Sequence, residues 1–74
     1  MNLGEYFKRC REASKRTQPD VAGEVGIEQS YMSKLESGKS IPSNDVFNSL
    51  VRVYGIKIDD LIAQLDEAEI ARLG

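Results

Sequence analysis

Apolar residues recur along this chain with the three-and-four spacing of amphipathic helices, and turn residues break the pattern at short intervals. Leu3, Phe7, Cys10 and Ala13, with Ser14 in the same file and Tyr6 beside it, predict a helix from about Leu3 to Ser14. Asn2 suits its N-cap, with Glu5 three residues on as the return partner of a capping box. Lys15 and Arg16 close it, where positive charge meets the negative end of the helix dipole. A second helix starts at the N-cap Thr17, with Asp20 three positions later and Pro19 tolerated in the first turn. Val21, Ala22 and Val25 form its inner face. Gly26 falls where a residue of positive φ is needed to end that helix and turn the chain. Ile27 is then expected to plug the space between this helix and the next.

The third helix, about Gln29 to Ser37, divides into two unlike faces. At 100° per residue Tyr31, Met32 and Leu35 fall on one side. Gln29, Ser30, Ser33, Lys34 and Ser37 fall on the other, a row of short hydrogen-bonding groups and one lysine. Gly38 supplies a left-handed C-terminal residue. Pro42 fixes the entry to a fourth helix, about Asn44 to Tyr54, capped by Ser43 or Asn44. Val46, Phe47, Leu50, Val51, Val53 and Tyr54 span an arc of roughly 160°, wider than a minimal core stripe. The excess, Val46 or Val53, is expected at a dimer surface. Gly55 ends this helix and Ile56 packs back. A fifth helix from about Ile58 turns Ile58, Leu61, Ile62 and Leu65 inward. Asp66 as a cap, Glu69 as its return partner and Leu65 with Ile70 as a hydrophobic staple predict a break near Leu65 and a short final helix. One continuous fifth helix is the alternative. The expected fold is all-α: a compact bundle of five helices, or six if the break is real. Residues 1–64 form one domain, and residues 65–74 form a helical tail whose Ile70 and Leu73 suit an intermolecular, dimer-forming contact.

A helix, a glycine turn and a helix with a polar outer face follow the helix-turn-helix plan. Residues 3 to 62 resemble the Cro and lambda-repressor-like family of DNA-binding domains, also called the xenobiotic-response-element family. The matching pieces are Thr17-Gln18, Val21-Ala22, Val25-Gly26-Ile27, Gln29 through Glu36, Gly38-Lys39 and Pro42-Ser43. The resemblance implies a recognition helix at about 29–37. Gln29 and Ser30, at the end that reaches base edges, and Ser33 and Lys34, one turn on, are the base-reading candidates. Gln18 is implied as a phosphate contact that also braces the recognition helix. Lys39, Ser40 and Ser43 are implied as a phosphate clamp, in a loop expected to offer free N–H groups, and the Tyr31 hydroxyl is a further phosphate candidate. Arg11 and Glu36 are implied as an ion pair tying the first helix to the third. Two residues depart from the family pattern. Glu28 stands where a serine or threonine usually caps the third helix, and it brings negative charge near the approaching phosphates. Lys57 stands where a serine often caps the fifth.

Composition narrows the function. At 74 residues the chain is one small domain with a marginal core, so dimerisation or tight helix packing should contribute. The net charge of −2 argues at first against a nucleic-acid partner. Its distribution argues otherwise: residues 1–43 carry seven basic and six acidic groups, and residues 44–74 carry three and six. Lys8 to Arg16 alone holds five basic residues and one glutamate. The single cysteine, Cys10, excludes an internal disulfide and reads as a small buried apolar residue. No apolar run approaches the roughly 20 residues of a membrane span. With no signal peptide either, a cytoplasmic location is expected. The absence of histidine removes the usual general base and the commonest metal ligand. Asp59-Asp60 and Asp66-Glu67-Glu69 are better explained as helix starts than as catalytic or metal-binding carboxylates. The chain is therefore expected to be no enzyme, to need no cofactor or metal, and to be a sequence-specific DNA-binding regulator, a repressor in the first instance. Its partners would be double-stranded DNA, at a near-palindromic operator, and a second copy of itself. The alternative is an antitoxin-like or co-regulator module whose acidic end docks a basic protein.

Overall fold

The computed structural model describes residues 1–66. Five helices follow in order: α1 (Leu3–Ala13), α2 (Gln18–Val25), α3 (Gln29–Ser37), α4 (Asn44–Tyr54) and α5 (Ile58–Gln64). The described residues contain no strand. α5 stops at Gln64, and Leu65 is extended at the point where the sequence pattern predicts a break. The short final helix, with Ile70 and Leu73, lies outside the described residues.

The caps explain most of the boundaries. The Asn2 side chain accepts from the Glu5 amide at 2.9 Å. Thr17 and Asp20 form a full capping box, and those bonds hold the Asp20 carboxyl below its ordinary range. Ser43, rather than Asn44, caps α4 by accepting from Val46 N at 3.3 Å. α2 ends at Gly26, with φ at +84°, and the Gly26 and Ile27 amides both return to the Ala22 carbonyl. α1 closes in a similar way without a glycine. Lys15 takes φ of +59°, its amide donates to Glu12 and the Arg16 amide donates to Arg11. Left-handed backbone costs a residue with a Cβ on the order of 1 kcal/mol, so this turn is held by the bonds around it.

One cluster forms the core: Leu3, Tyr6 and Phe7 from α1, Val21 and Ala22 from α2, Met32 and Leu35 from α3, Leu50 from α4, Leu61 from α5, and Leu65 just beyond it. The Phe7 ring lies at the centre, 5.9 Å from Phe47 and 6.3 Å from Tyr6 and from Tyr54. Tyr6 ties α1 to α5 by donating its hydroxyl to Asp60 at 2.8 Å. Burial first, and then that bond, raises its pKa above the ordinary tyrosine value. Cys10 is half-buried, and burial pushes its thiol up. It packs as a small apolar residue.

Four residues expected in the core lie outside it. Ala13 and Ser14 are exposed, because the last turn of α1 runs past the edge of the core. Val46 and Val53 are half-buried, packed against the core. Ile58 and Ile62 are each 47% exposed, whereas Leu61 and Leu65 are buried. At helical spacing Ile58, Leu61 and Ile62 span about 100°, and Leu65 follows just past the end of α5. The small core reaches only the leucine half of that stripe, which leaves the isoleucine half outside.

Gly4 sets how closely α1 crosses α3. A Cβ there would collide with the Leu35 carbonyl oxygen and lie 2.8 Å from that of Glu36. Both obstacles are backbone at the C-terminal end of α3, so neither can swing aside. Gly23, in α2, has nothing within 4 Å of its added Cβ. The same substitution should therefore have opposite signs at the two sites. Gly23→Ala should stabilise by about 0.5–1 kcal/mol through helix propensity. Gly4→Ala should destabilise by about 1–3 kcal/mol through overpacking. Urea unfolding followed by circular dichroism reads both; equal shifts would show that α1 and α3 separate without cost.

Candidate nucleic-acid interface

α3 is held from beneath. Met32 and Leu35 are fully buried, each contributing about 1.5–3 kcal/mol of apolar burial. That outweighs the missing cap: Glu28 takes the N-cap position with no side-chain hydrogen bond, a loss of about 1 kcal/mol. Tyr31 lies at the edge, half-buried against the core. Gln29, Ser30, Ser33 and Lys34 are all exposed, and among the described residues none of these side chains has an intramolecular partner. They form one polar strip along the outer side of α3.

The C-terminal turn of α3 is fixed by a buried carboxylate. The Glu36 side chain is 3% exposed and that of Arg11 13%. Arg11 Nε donates to Glu36 Oε2 at 2.7 Å, and Nη2 donates to Oε1 at 3.1 Å. Arg11 Nη1 donates to the Arg16 carbonyl at 3.0 Å, which fastens the α1–α2 link as well. Gln18 Nε2 donates to Glu36 Oε1 at 3.0 Å. Helices α1, α2 and α3 thus meet at one side chain. The forked geometry makes each bond charge-assisted and directional, and Glu36 raises the pKa of the arginine.

The remaining candidates divide by what already occupies them. One amide hydrogen of Gln18 is committed to Glu36. Its second hydrogen and the unbonded N–H at the start of α2 are what an anion would meet. The Lys39 side chain is exposed and has no partner among the described residues, Ser40 is half-exposed, and Ser43 is exposed with its oxygen capping α4. The expected loop of free N–H groups is not present at Lys39 and Ser40. Both amides turn inward and donate to the Lys34 carbonyl, at 2.9 and 3.2 Å. The orphan carbonyls at a helix end need donors, and these amides satisfy one of them, so only the side chains at 39 and 40 face outward. The basic run in α1 is likewise partly spent. Arg11 is bound to Glu36 and Arg16 to Glu24 at 3.0 Å, while Lys8, Arg9 and Lys15 are exposed and have no partner among the described residues.

A family profile described as "Helix-turn-helix domain" matches residues 2–65. The chain belongs to the helix-turn-helix family. It is 36% identical over 62 residues to the HTH-type transcriptional regulator DdrOP3 of Deinococcus deserti, covering 84% of this chain and 48% of that protein. It is 31% identical over 65 residues to the uncharacterized HTH-type transcriptional regulator y4dJ of Sinorhizobium fredii, covering 88% and 84%. With endothelial differentiation-related factor 1 of Rattus norvegicus it shares 29% over 58 residues, covering 78% and 39%. The chain thus spans about half the length of the first of these relatives and less of the third.

Both departures from the helix-turn-helix pattern have a structural counterpart. Glu28 and Lys57 take N-cap positions, and neither makes a side-chain cap bond. Sequence reasoning overlooked Gly4. The signal was present: Gly4 shares a helical file with Phe7 and Arg11, so a residue without a side chain stands in the inner stripe.

Breaking the Arg11–Glu36 pair should be costly, because it strands a buried charge. Arg11→Met should lose about 3–5 kcal/mol, comparable with the whole stability of a domain this size. Adding Glu36→Leu to Arg11→Met should recover most of the loss. Urea midpoints of the two variants test this; a double variant as unstable as the single would mean that geometry, not charge, holds α3.

Proposed function

We propose that this chain is the DNA-binding domain of a transcription regulator. It inserts α3 into a major groove, where Gln29, Ser30, Ser33 and Lys34 meet base edges, and Gln18, Tyr31, Lys39, Ser40 and Ser43 meet phosphates. The observation that carries the reading is the strip of four polar side chains, without partners among the described residues, on a helix anchored by Met32, Leu35 and Glu36. A major groove about 12 Å wide admits such a helix. The relatives named as HTH-type transcriptional regulators support the same reading. We assign it the role of a repressor acting as a homodimer. Two α3 helices about 34 Å apart then read a near-palindromic operator, and the exposed Ile58 and Ile62 form the seam between the copies.

Titration on DNA from upstream of its own gene, with mixed-sequence DNA as competitor, tests the specificity. Specific binding should exceed non-specific binding by about a thousandfold or more. Gln29→Ala should lose most of that ratio, while Lys39→Ala should weaken both kinds of binding and lower the salt slope by about one. Equal affinity for both DNAs would defeat the claim.

A second reading, a module that docks another protein, is favoured by one observation: the same two isoleucines flank Asp59 in the acidic last third. A relative at 28% identity over 57 residues is named multiprotein-bridging factor 1, from Candida glabrata. Light scattering separates the two. On the first reading the wild type is a dimer and Ile62→Glu a monomer. A wild type that stays monomeric at tens of micromolar supports the second.

A further inference from the structure

Four carboxylates lie between Gln18 and Glu36, and three are committed: Asp20 to the Thr17 capping box, Glu24 to Arg16, and Glu36 to Arg11 and Gln18. Glu28 is the fourth. It is exposed, and although its backbone carbonyl accepts from Met32 N at 3.1 Å, its side chain makes no bond to its own helix and has no partner among the described residues. Its backbone is extended, with φ at −77° and ψ at 150°, so the helical 100° rule does not assign its side chain to the core side of α3. It stands immediately before Gln29, at the tip of the helix that enters the groove first in helix-turn-helix docking.

A free carboxylate at that tip has few options against DNA. It accepts hydrogen bonds and donates none. Phosphate oxygens offer it only repulsion, which salt at 0.15 M does not screen at contact distance. The major-groove donors are the amino groups of cytosine N4 and adenine N6. The adenine donor lies beside the N7 acceptor, which repels a carboxylate. The adenine amino group has a second acceptor, thymine O4, on its other side, whereas the cytosine amino group has guanine O6 on one side and only the C5–H on the other, so one flank is free of acceptors. We infer that Glu28 is a specificity-determining residue that accepts a hydrogen bond from cytosine N4 at the end of each half-site. The inference rests on the DNA-reading function proposed above, and it turns an apparent electrostatic defect into a base contact. Because the same charge repels phosphates at every other register, it selects by penalising wrong sites as well as by rewarding the right one.

Selection from randomised duplexes with wild type, Glu28→Ala and Glu28→Gln tests it. The Glu28 side chain makes no hydrogen bond or ion pair among the described residues, and each variant keeps the backbone carbonyl that accepts from Met32 N, so the variants should fold as the wild type does. The wild type should enrich cytosine at one fixed position in each half-site. Glu28→Ala should lose about tenfold discrimination there and keep its preferences elsewhere. Glu28→Gln should move that position towards adenine, which glutamine pairs in two places. If all three proteins enrich one consensus, and the variants bind every sequence more tightly, the inference is overturned while the DNA reading stands. If the wild type enriches no sequence, both fall.

Discussion

A carboxylate buried to 3% exposure is the constraint on which the rest of this domain depends. Glu36 is acceptable inside only because Arg11 grips both of its oxygens and Gln18 supplies a further donor. Leaving such a charge unpaired is among the costliest events in a small fold. The requirement therefore acts on geometry. α1 must come close enough for Arg11 to reach, which Gly4 permits by having no side chain, and the start of α2 must face the end of α3. Apolar burial supplies most of the stabilisation, but burial is tolerant of small rotations. The forked ion pair is not, so it sets the orientation in which α3 is held.

Much of this was legible in the sequence, for identifiable reasons. Helix boundaries followed from side chains that act on their nearest neighbours: Asn2, Thr17 with Asp20, and Ser43 as caps, and Gly26 as the left-handed stop. The two-faced character of α3 followed from periodicity alone. What failed to show was set by the size and edges of the core, which no local pattern records. Ile58 and Ile62 belong to the same apolar stripe as Leu61 and Leu65, and only the finite reach of a small core separates them. Ala13 fits the α1 stripe but lies beyond the last layer that could cover it. Lys15 gave no warning that it would take a backbone conformation suited to glycine. The inward turn of the Lys39 and Ser40 amides depends on where the Lys34 carbonyl points, again a matter of three dimensions.

Family membership and geometry bear on different questions. The family match fixes the arrangement of helices, and it covers nearly all of the described residues. It does not choose between DNA and protein as the ligand, since its relatives bear the names of regulators and of a bridging factor alike. The choice made above rests on side chains. α3 presents hydrogen-bonding side chains that have no partner among the described residues, which is the condition for reading another molecule's edges. The apolar exposure of α5 lies on a separate helix, so the two surfaces can serve different ligands at once.

The carbonyl of Lys34 joins two of the proposed tasks. It receives the amides of Gly38, Lys39 and Ser40, and the Ser37 hydroxyl as well. The loop that would hold the sugar-phosphate rail is therefore clasped to the rod that would interrogate the bases. A wrong base pair that lifts the rod must lift the clasp with it. Discrimination and grip would fail together, so the penalty for a poor site would grow faster than the number of its errors.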